Sequence, residues 1–445
     1  MNTSSNLPPA DGTQVASPST EDASAQPTGM FSSLANRAYR YLWLGSICSS
    51  FAMNMQIVAR GWLIYAMTQS PLQLAWVTLS FAIPQVCFAL FGGVLADRMQ
   101  KNYIMVIAQS INFIASLIFA GLIFWGHVSF WDFIIFGFIN GTILALSMPA
   151  RQALVPELVG EKFVFNAMAL NTASWNLSRI LGPAIAGLMI GLLADGDTQS
   201  TFGVSVVYLL ISVMYLISAI TVFFIPYTPV SANDGPRSGV IDEIKSGLVY
   251  MWEKPVVFGL IVFSILPFLF GMPIQQLMPA FNQDILNGGP ELLGFIMTAM
   301  GVGAIIGSLS VARMGEWPHK GRWLMLASVL CGGLIILFSQ MTHYFWVFLL
   351  APLIGLFQSV CMSMNRSLLQ LQVSQQMRGR IMSIDMMTHG LMPLGIIPVS
   401  LVAEYISIDA GLFLSGSLLL MATLVAAYCL PAVRKINRGY VNENL

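Results

Sequence analysis

Runs of about 20 or more apolar residues recur along this chain, each long enough to cross ~30 Å of hydrocarbon as a helix. No water reaches the backbone inside a bilayer. A run of this length must therefore satisfy its own N–H and C=O groups, which a helix does within one segment. Twelve such runs are predicted. The first lies near Tyr41–Met67, the fourth near Phe130–Met148, the seventh near Val256–Phe281, the eighth near Leu292–Ala312, the eleventh near Ile381–Ala403 and the twelfth near Ala410–Leu430. Only 9% of residues are charged and 56% are hydrophobic, against roughly 25% charged in an average soluble domain. The expected class is an all-α membrane protein of twelve transmembrane helices in two six-helix halves.

Basic residues orient the chain. With both termini inside, eighteen of the twenty Lys and Arg residues fall on inner segments, from Arg37 and Arg40 to Arg434, Lys435 and Arg438, and the outer loops carry none. Arg60 and Arg179 alone lie inside spans. Residues 1–30, rich in Ser, Thr, Pro and acids, are expected to be a disordered cytoplasmic tail. Residues 31–226 hold six spans, 227–254 form a cytoplasmic linker, 255–430 hold six more, and 431–445 form a second cytoplasmic tail. In the linker Ile241, Ile244, Leu248 and Trp252 recur at helical spacing, which predicts an amphipathic helix on the inner surface. Basic and acidic residues cancel, so charge points to no nucleic-acid partner. The five cysteines lie in apolar runs without a CxxC pair, and no disulfide framework, metal site or cofactor is expected.

At the end of the second span the sequence reads Gly92-Gly93-Val94-Leu95-Ala96-Asp97-Arg98-Met99-Gln100-Lys101. It resembles the GxLaDrxGRk signature of the major facilitator superfamily, with Gln100 where Gly is usual. Met148-Pro149-Ala150-Arg151-Gln152-Ala153-Leu154-Val155-Pro156 follows later, and span five contains Asn176-Leu177-Ser178-Arg179-Ile180-Leu181-Gly182-Pro183. With Gln370 and Arg378-Gly379-Arg380-Ile381-Met382-Ser383, the chain is similar to the branch of that superfamily containing the enterobactin exporters. The resemblance covers about Leu34 to Leu430. It implies alternating access between two halves, export of a small-molecule substrate driven by protons, residence in a bacterial inner membrane, and a cavity lined by spans one, four, seven and ten. The Arg that drug exporters of the superfamily often carry in mid span four is absent from Phe138-Ile139-Asn140-Gly141.

Charged groups cost roughly 2.5–3.5 kcal/mol at the bilayer centre on insertion scales, so each one inside a span is a functional candidate. Ser49, Met53, Gln56 and Arg60 share one stripe of span one, because steps of four, three and four return to the same helical face. A polar stripe faces a cavity or another helix. Gln56, Arg60, Asn140, Gln275, Gln276, Gln358 and Asn365 are the substrate-binding candidates; each has a bland alternative as a helix–helix hydrogen bond or, for Arg60, a snorkelling side chain. Arg179 reads as a structural or gating group near Pro183, whose ring frees a carbonyl one turn back, with direct ligand contact as the alternative. Three prolines and Gly271 between Leu266 and Pro279 must kink span seven, which suits an outer gate. On span eight, Gly303 and Gly307 form a GxxxG face expected to meet the Gly182 and Gly187 region of span five.

Near the inner surface, Asp97 and Arg98 end span two, while Arg378, Arg380, Asp385 and His389 open span eleven. The resemblance sets these spans side by side, so Asp97 is expected to hold the N-terminus of span eleven and the guanidinium of Arg378 or Arg380. Asp385 and His389 are four apart, on one helical face. All six are gating or coupling candidates, Asp385 and His389 equally readable as a self-satisfying polar pair. Beyond Asp132, in the first turn of span four, spans one, four, seven and ten hold no acid within these boundaries, so an anionic or neutral solute suits Arg60 better than a cation. A solute importer or lysolipid flippase shares the fold. A membrane sensor would need neither Arg60 nor a broken span seven, and an intramembrane enzyme would need an HExxH or paired-acid set that the spans lack. The expected partners are a small-molecule substrate, protons and the lipid bilayer.

Overall fold

A computed structural model of the chain describes residues 32–194, 201–226, 240–314, 317–375, 377–437 and 440–441. The N-terminal tail and the Ser-Ala-Asn-Asp-Gly-Pro part of the linker lie outside the described residues. Among the described residues, twelve helices are long and apolar enough to span a membrane. Spans one to six are Arg37–Thr68, Pro71–Arg98, Lys101–Phe124, Phe130–Val159, Glu161–Leu193 and Phe202–Phe223. A linker helix, Val240–Glu253, precedes span seven, which runs as Pro255–Leu266, a π-turn Pro267–Gly271, and Pro273–Asp284. Spans eight to ten are Pro290–Arg313, Lys320–Ser339 and Tyr344–Gln372. Span eleven joins Arg378–Thr388 to Met392–Tyr405 through a 3-10 turn at His389–Leu391, and span twelve is Ile408–Cys429.

The first six spans and the last six pack alike, and glycine explains how. Spans two and four touch backbone to backbone: a Cβ on Gly141 would lie 2.1 Å from Phe81 O, and one on Gly92 2.2 Å from Ala145 O. Spans eight and ten repeat the arrangement, with Gly303 against Pro352 O at 1.8 Å and Gly307 against Leu356 O at 2.3 Å. In lipid the hydrophobic effect does not drive helices together, so this close approach and its van der Waals contact hold the pairs.

The GxxxG face of span eight therefore meets span ten, not span five as the sequence reading expects. Two residues turn a helix by about 200°, so Gly301 and Gly303 look in opposite directions. Gly294 and Gly301 face span five, where a Cβ would meet Pro183 O at 2.5 Å and Arg179 O at 3.1 Å respectively. Thr298 Oγ1 adds a bond to Ile180 O at 2.8 Å across this seam between the halves. Gly182 packs on Asn54 of span one.

Helix ends also differ from expectation. Span four continues past Pro149 to Val159, which brings Arg151 into the helix, and span seven reaches Asp284. Gln100 takes φ −62° and ψ 124° at the start of span three, a conformation that needs no glycine, so the departure from the signature is sterically free. Beyond span twelve, Val433 and Ile436 are fully buried, seated where Gly259 and Gly321 leave room for them. The C-terminal segment is thus pinned to the bundle through Asn437. In span seven the carbonyls freed by the π-turn are covered: Ser415 Oγ donates to Phe270 O at 2.5 Å, and Gly395 lets span eleven press on Leu269 O.

The seam gives a stability prediction. Gly294→Val forces a branched side chain onto the Pro183 carbonyl and lowers the thermal midpoint of the purified protein, at a cost of about 1–3 kcal/mol. Gly333→Ala, whose Cβ meets nothing within 4 Å, leaves the midpoint unchanged. Equal midpoints for both variants contradict the packing assignment.

Candidate functional site

Span one presents Ser49, Met53, Gln56 and Arg60 to a cavity of about 400 Å³. Span four adds Asn140 and Arg151, span seven Gln275 and Gln276, and spans two, three and six contribute Phe81, Gln109, Asn112 and Tyr215. Of the seven binding candidates, Gln56, Arg60, Asn140, Gln275 and Gln276 line this cavity. Gln358 stands behind the wall, 4% exposed, and accepts from Gln275 Nε2 at 3.2 Å. Asn365 lies apart from it, in a second and smaller cavity beside Asp385.

Among its described lining residues the cavity has two cations and no anion. Arg60 lies under no carboxylate; its guanidinium sits 5.8 Å from the centre of the Phe81 ring, within cation–π range. Arg151 Nη2 donates to Ser49 Oγ at 2.6 Å. Among the described residues lining the cavity there is no Asp or Glu. The sequence reading misses Arg151 because it ends span four at Met148 and counts Arg151 as a loop cation. The helical spacing of Ala150, Leu154 and Val155, all buried, is the signal that the helix goes on. It likewise misses Gln109 and Asn112 on span three, whose Oε1 and Oδ1 are buried without a partner.

Two acids, Asp284 and Glu404, stand at the end of the bundle that carries no basic loop residues. There Tyr65 Oη donates to Asp284 Oδ2 at 2.7 Å. Glu404 Oε2 accepts from Ser70 Oγ at 2.7 Å and from Leu72 N at 3.2 Å. A carboxylate of span eleven thus caps the positive N-terminus of span two. Gln69 and Gln283 meet at 3.5 Å, and Gly61 lets Pro279 of span seven approach, since a Cβ there would lie 2.9 Å from the proline ring. These contacts join the two halves and seal the cavity at that end. Asp284 and Glu404 fall just beyond the predicted ends of spans seven and eleven, which is why the sequence reading leaves them out.

The remaining candidates scatter. Arg179 and Pro183 sit on the seam with span eight and do not line the cavity. Arg98 and Arg378 are exposed at the basic-rich end. Arg380 Nη1 donates to Ser246 Oγ of the linker helix at 2.7 Å, which ties span eleven to the linker. The side chains of Asp97 and His389 lie outside the described residues. Asp385 is 4% exposed and accepts from Ser264 Oγ at 2.5 Å.

The profile of the transmembrane secretion effector family matches residues 28–442. The chain is 25% identical over 387 residues to the staphyloferrin A transporter of Staphylococcus aureus, covering 86% of this chain and 92% of that one. It is 28% identical over 349 residues to the enterobactin exporter of Shigella boydii, covering 77% and 80%. Among solved structures, a nucleoside transporter superposes with a TM-score of 0.70 at 14% identity, over 89% of this chain and 99% of that one.

The carboxylate bonds make a testable gate. Spin labels at Gln69→Cys and Gln283→Cys report the spacing of the sealed rim. Adding Asp284→Ala and Glu404→Ala removes three bonds, each charge-assisted one worth about 1.5–3 kcal/mol, and moves the distance distribution to longer values. An unchanged distribution means that the carboxylates do not hold the rim.

Proposed function

The chain belongs to the transmembrane secretion effector family of the major facilitator superfamily, and from that premise we propose that it exports a small organic solute by proton-driven alternating access. The solute is siderophore- or drug-like in size and anionic or neutral. The single observation that carries this reading is the cavity with Arg60 and Arg151 in its wall and no carboxylate among its described lining residues. Two unit charges 4 Å apart interact by about 4 kcal/mol at an effective dielectric of 20. A permanent cation entering this space meets that as repulsion, and an anion meets it as attraction.

Geometry sets the scale of the solute. Arg151 reaches Ser49, eleven residues before Arg60 on span one, a rise of about 16 Å at ~1.5 Å per residue. A solute with acceptor groups at both ends suits that separation, and Gln56, Asn140, Gln275 and Gln276 offer both donors and acceptors between them. Positively charged loops favour the cytoplasmic side, so the sealed rim is the outer one and both termini are cytoplasmic, in a bacterial inner membrane. The described state is then the loading state of an exporter. Solute binding draws the halves together at the inner end, the seam of spans five and eight acts as the pivot, and the Asp284 and Glu404 bonds part to release the solute outside.

Efflux from loaded vesicles of a matched anionic, neutral and quaternary-ammonium set tests the reading. Arg60→Gln and Arg151→Gln are each expected to slow export of the anion about 10-fold or more, the worth of one charge-assisted hydrogen bond, and of the neutral solute far less. Arg60→Lys keeps part of the anion flux. Preferred export of the quaternary cation, undiminished in both Gln variants, would falsify it.

A further inference from the structure

Asp385 belongs neither to the solute cavity nor to the sealed rim, yet it is a buried acid inside a span, 4% exposed. An acid at that depth is costly, which makes an unexplained one a functional group. It closes a cavity of about 70 Å³ between spans seven, ten and eleven, together with Ser264, Pro267, Asn365 and Arg366. Ser264 Oγ donates to Asp385 Oδ1 at 2.5 Å. On the same wall Asn365 is 3% exposed, and its Oδ1 accepts no hydrogen bond. A buried acceptor left without a donor costs about 1–3 kcal/mol. The cavity wall contains one group that turns from acceptor to donor when it gains a proton, and that group is the Asp385 carboxyl.

We infer that Asp385, partnered by Ser264 and Asn365, is the site where this transporter takes up and releases its coupling proton. The inference rests on the proton-driven reading above. The proton comes from water and adds to Oδ2, the oxygen that Ser264 does not hold. The new O–H is then a donor for Asn365 Oδ1, and the charge is removed. On release the proton returns to water and the carboxylate keeps the Ser264 bond. Ser264 stands three residues before Pro267, where span seven breaks, and Asp385 four residues before the 3-10 turn of span eleven. Neutralising one group therefore acts on two interrupted helices at once, and span eleven carries the effect across to span two, against which its second segment packs.

The charged surroundings are few. Span ten contributes Arg366, an exposed side chain on the cavity rim, and the first segment of span seven has no charged residue. Lys245 and Glu253 of the linker helix are exposed, while Arg378 is exposed and Arg380 bonds Ser246 on span eleven's own first turn. The side chains of Asp242, Glu243 and His389 lie outside the described residues.

The test needs no solute, so its failure is separate from failure of the substrate reading. Full-length protein in liposomes is titrated with acid while the infrared C=O stretch of buried protonated carboxyls is followed. Spin labels at Met99→Cys and Ser374→Cys follow the spacing of the basic-rich rim. The wild type is expected to show both a band and a change of spacing. Asp385→Asn loses the band and keeps the acid-state spacing at every pH. Asn365→Leu retains both responses but needs about half to one pH unit more acid, the worth of one neutral hydrogen bond. A band of wild-type size in Asp385→Asn, or spacing that still follows pH there, overturns the assignment. Spacing that follows sodium at constant pH overturns it as well.

Discussion

Arg60 and Arg151 share one membrane cavity with no carboxylate among its described lining residues. Much of the architecture follows from keeping those two charges without a fixed partner. A guanidinium in low dielectric is stabilised only by what surrounds it, here the Phe81 ring for Arg60 and the Ser49 hydroxyl for Arg151. An internal acid would neutralise each arginine permanently and leave nothing for a solute to complete. Two acids stand instead at the rim, where Asp284 and Glu404 bind a phenol, a hydroxyl and a backbone N–H. Bonds of that kind are strong enough to favour one state and weak enough to be broken by a ligand, since each 1.4 kcal/mol shifts a two-state equilibrium about tenfold.

Close packing makes the switching discrete. Glycines let spans two and four, and spans eight and ten, meet backbone to backbone, which suits each half to move as a body in the proposed cycle. In the proposed cycle the two bodies turn about the seam of spans five and eight, built on Gly294, Gly301 and the proline-freed carbonyl of Arg179. Breaks in the spans fall near the site: span seven at Pro267–Gly271 and span eleven at His389–Leu391. The break in span seven is tolerated because Ser415 of span twelve donates to Phe270 O and span eleven, at Gly395, packs onto Leu269 O.

The twelve spans were legible from hydropathy alone, because the bilayer imposes one length and one backbone solution on every crossing. The stripe Ser49, Met53, Gln56, Arg60 was legible as a shared face for the same reason, since helical period fixes direction. Register between helices was not. The GxxxG rule says that a glycine face packs closely and not against what, so Gly303 and Gly307 were matched to span five when they serve span ten. Helix ends were the other weak point. Polar residues there end a hydropathy run before they end the helix, and this hid Arg151, Asp284 and Glu404, which lie at or beyond the edge of an apolar run. Partners far apart in sequence, such as Ser264 with Asp385, leave no mark in a single chain at all.

The central claim is that one cavity is offered to the two sides of the membrane in turn. The most direct measurement is the sided reactivity of a cysteine at Gln56, which lines that cavity, with the five native cysteines replaced. In the otherwise wild-type protein an impermeant thiol reagent is predicted to react fast from the basic-rich side and slowly from the other. In the Asp284→Ala, Glu404→Ala background that order is predicted to reverse. Rates that rise from the second side while staying equally fast from the first describe an open pore, and would contradict alternating access.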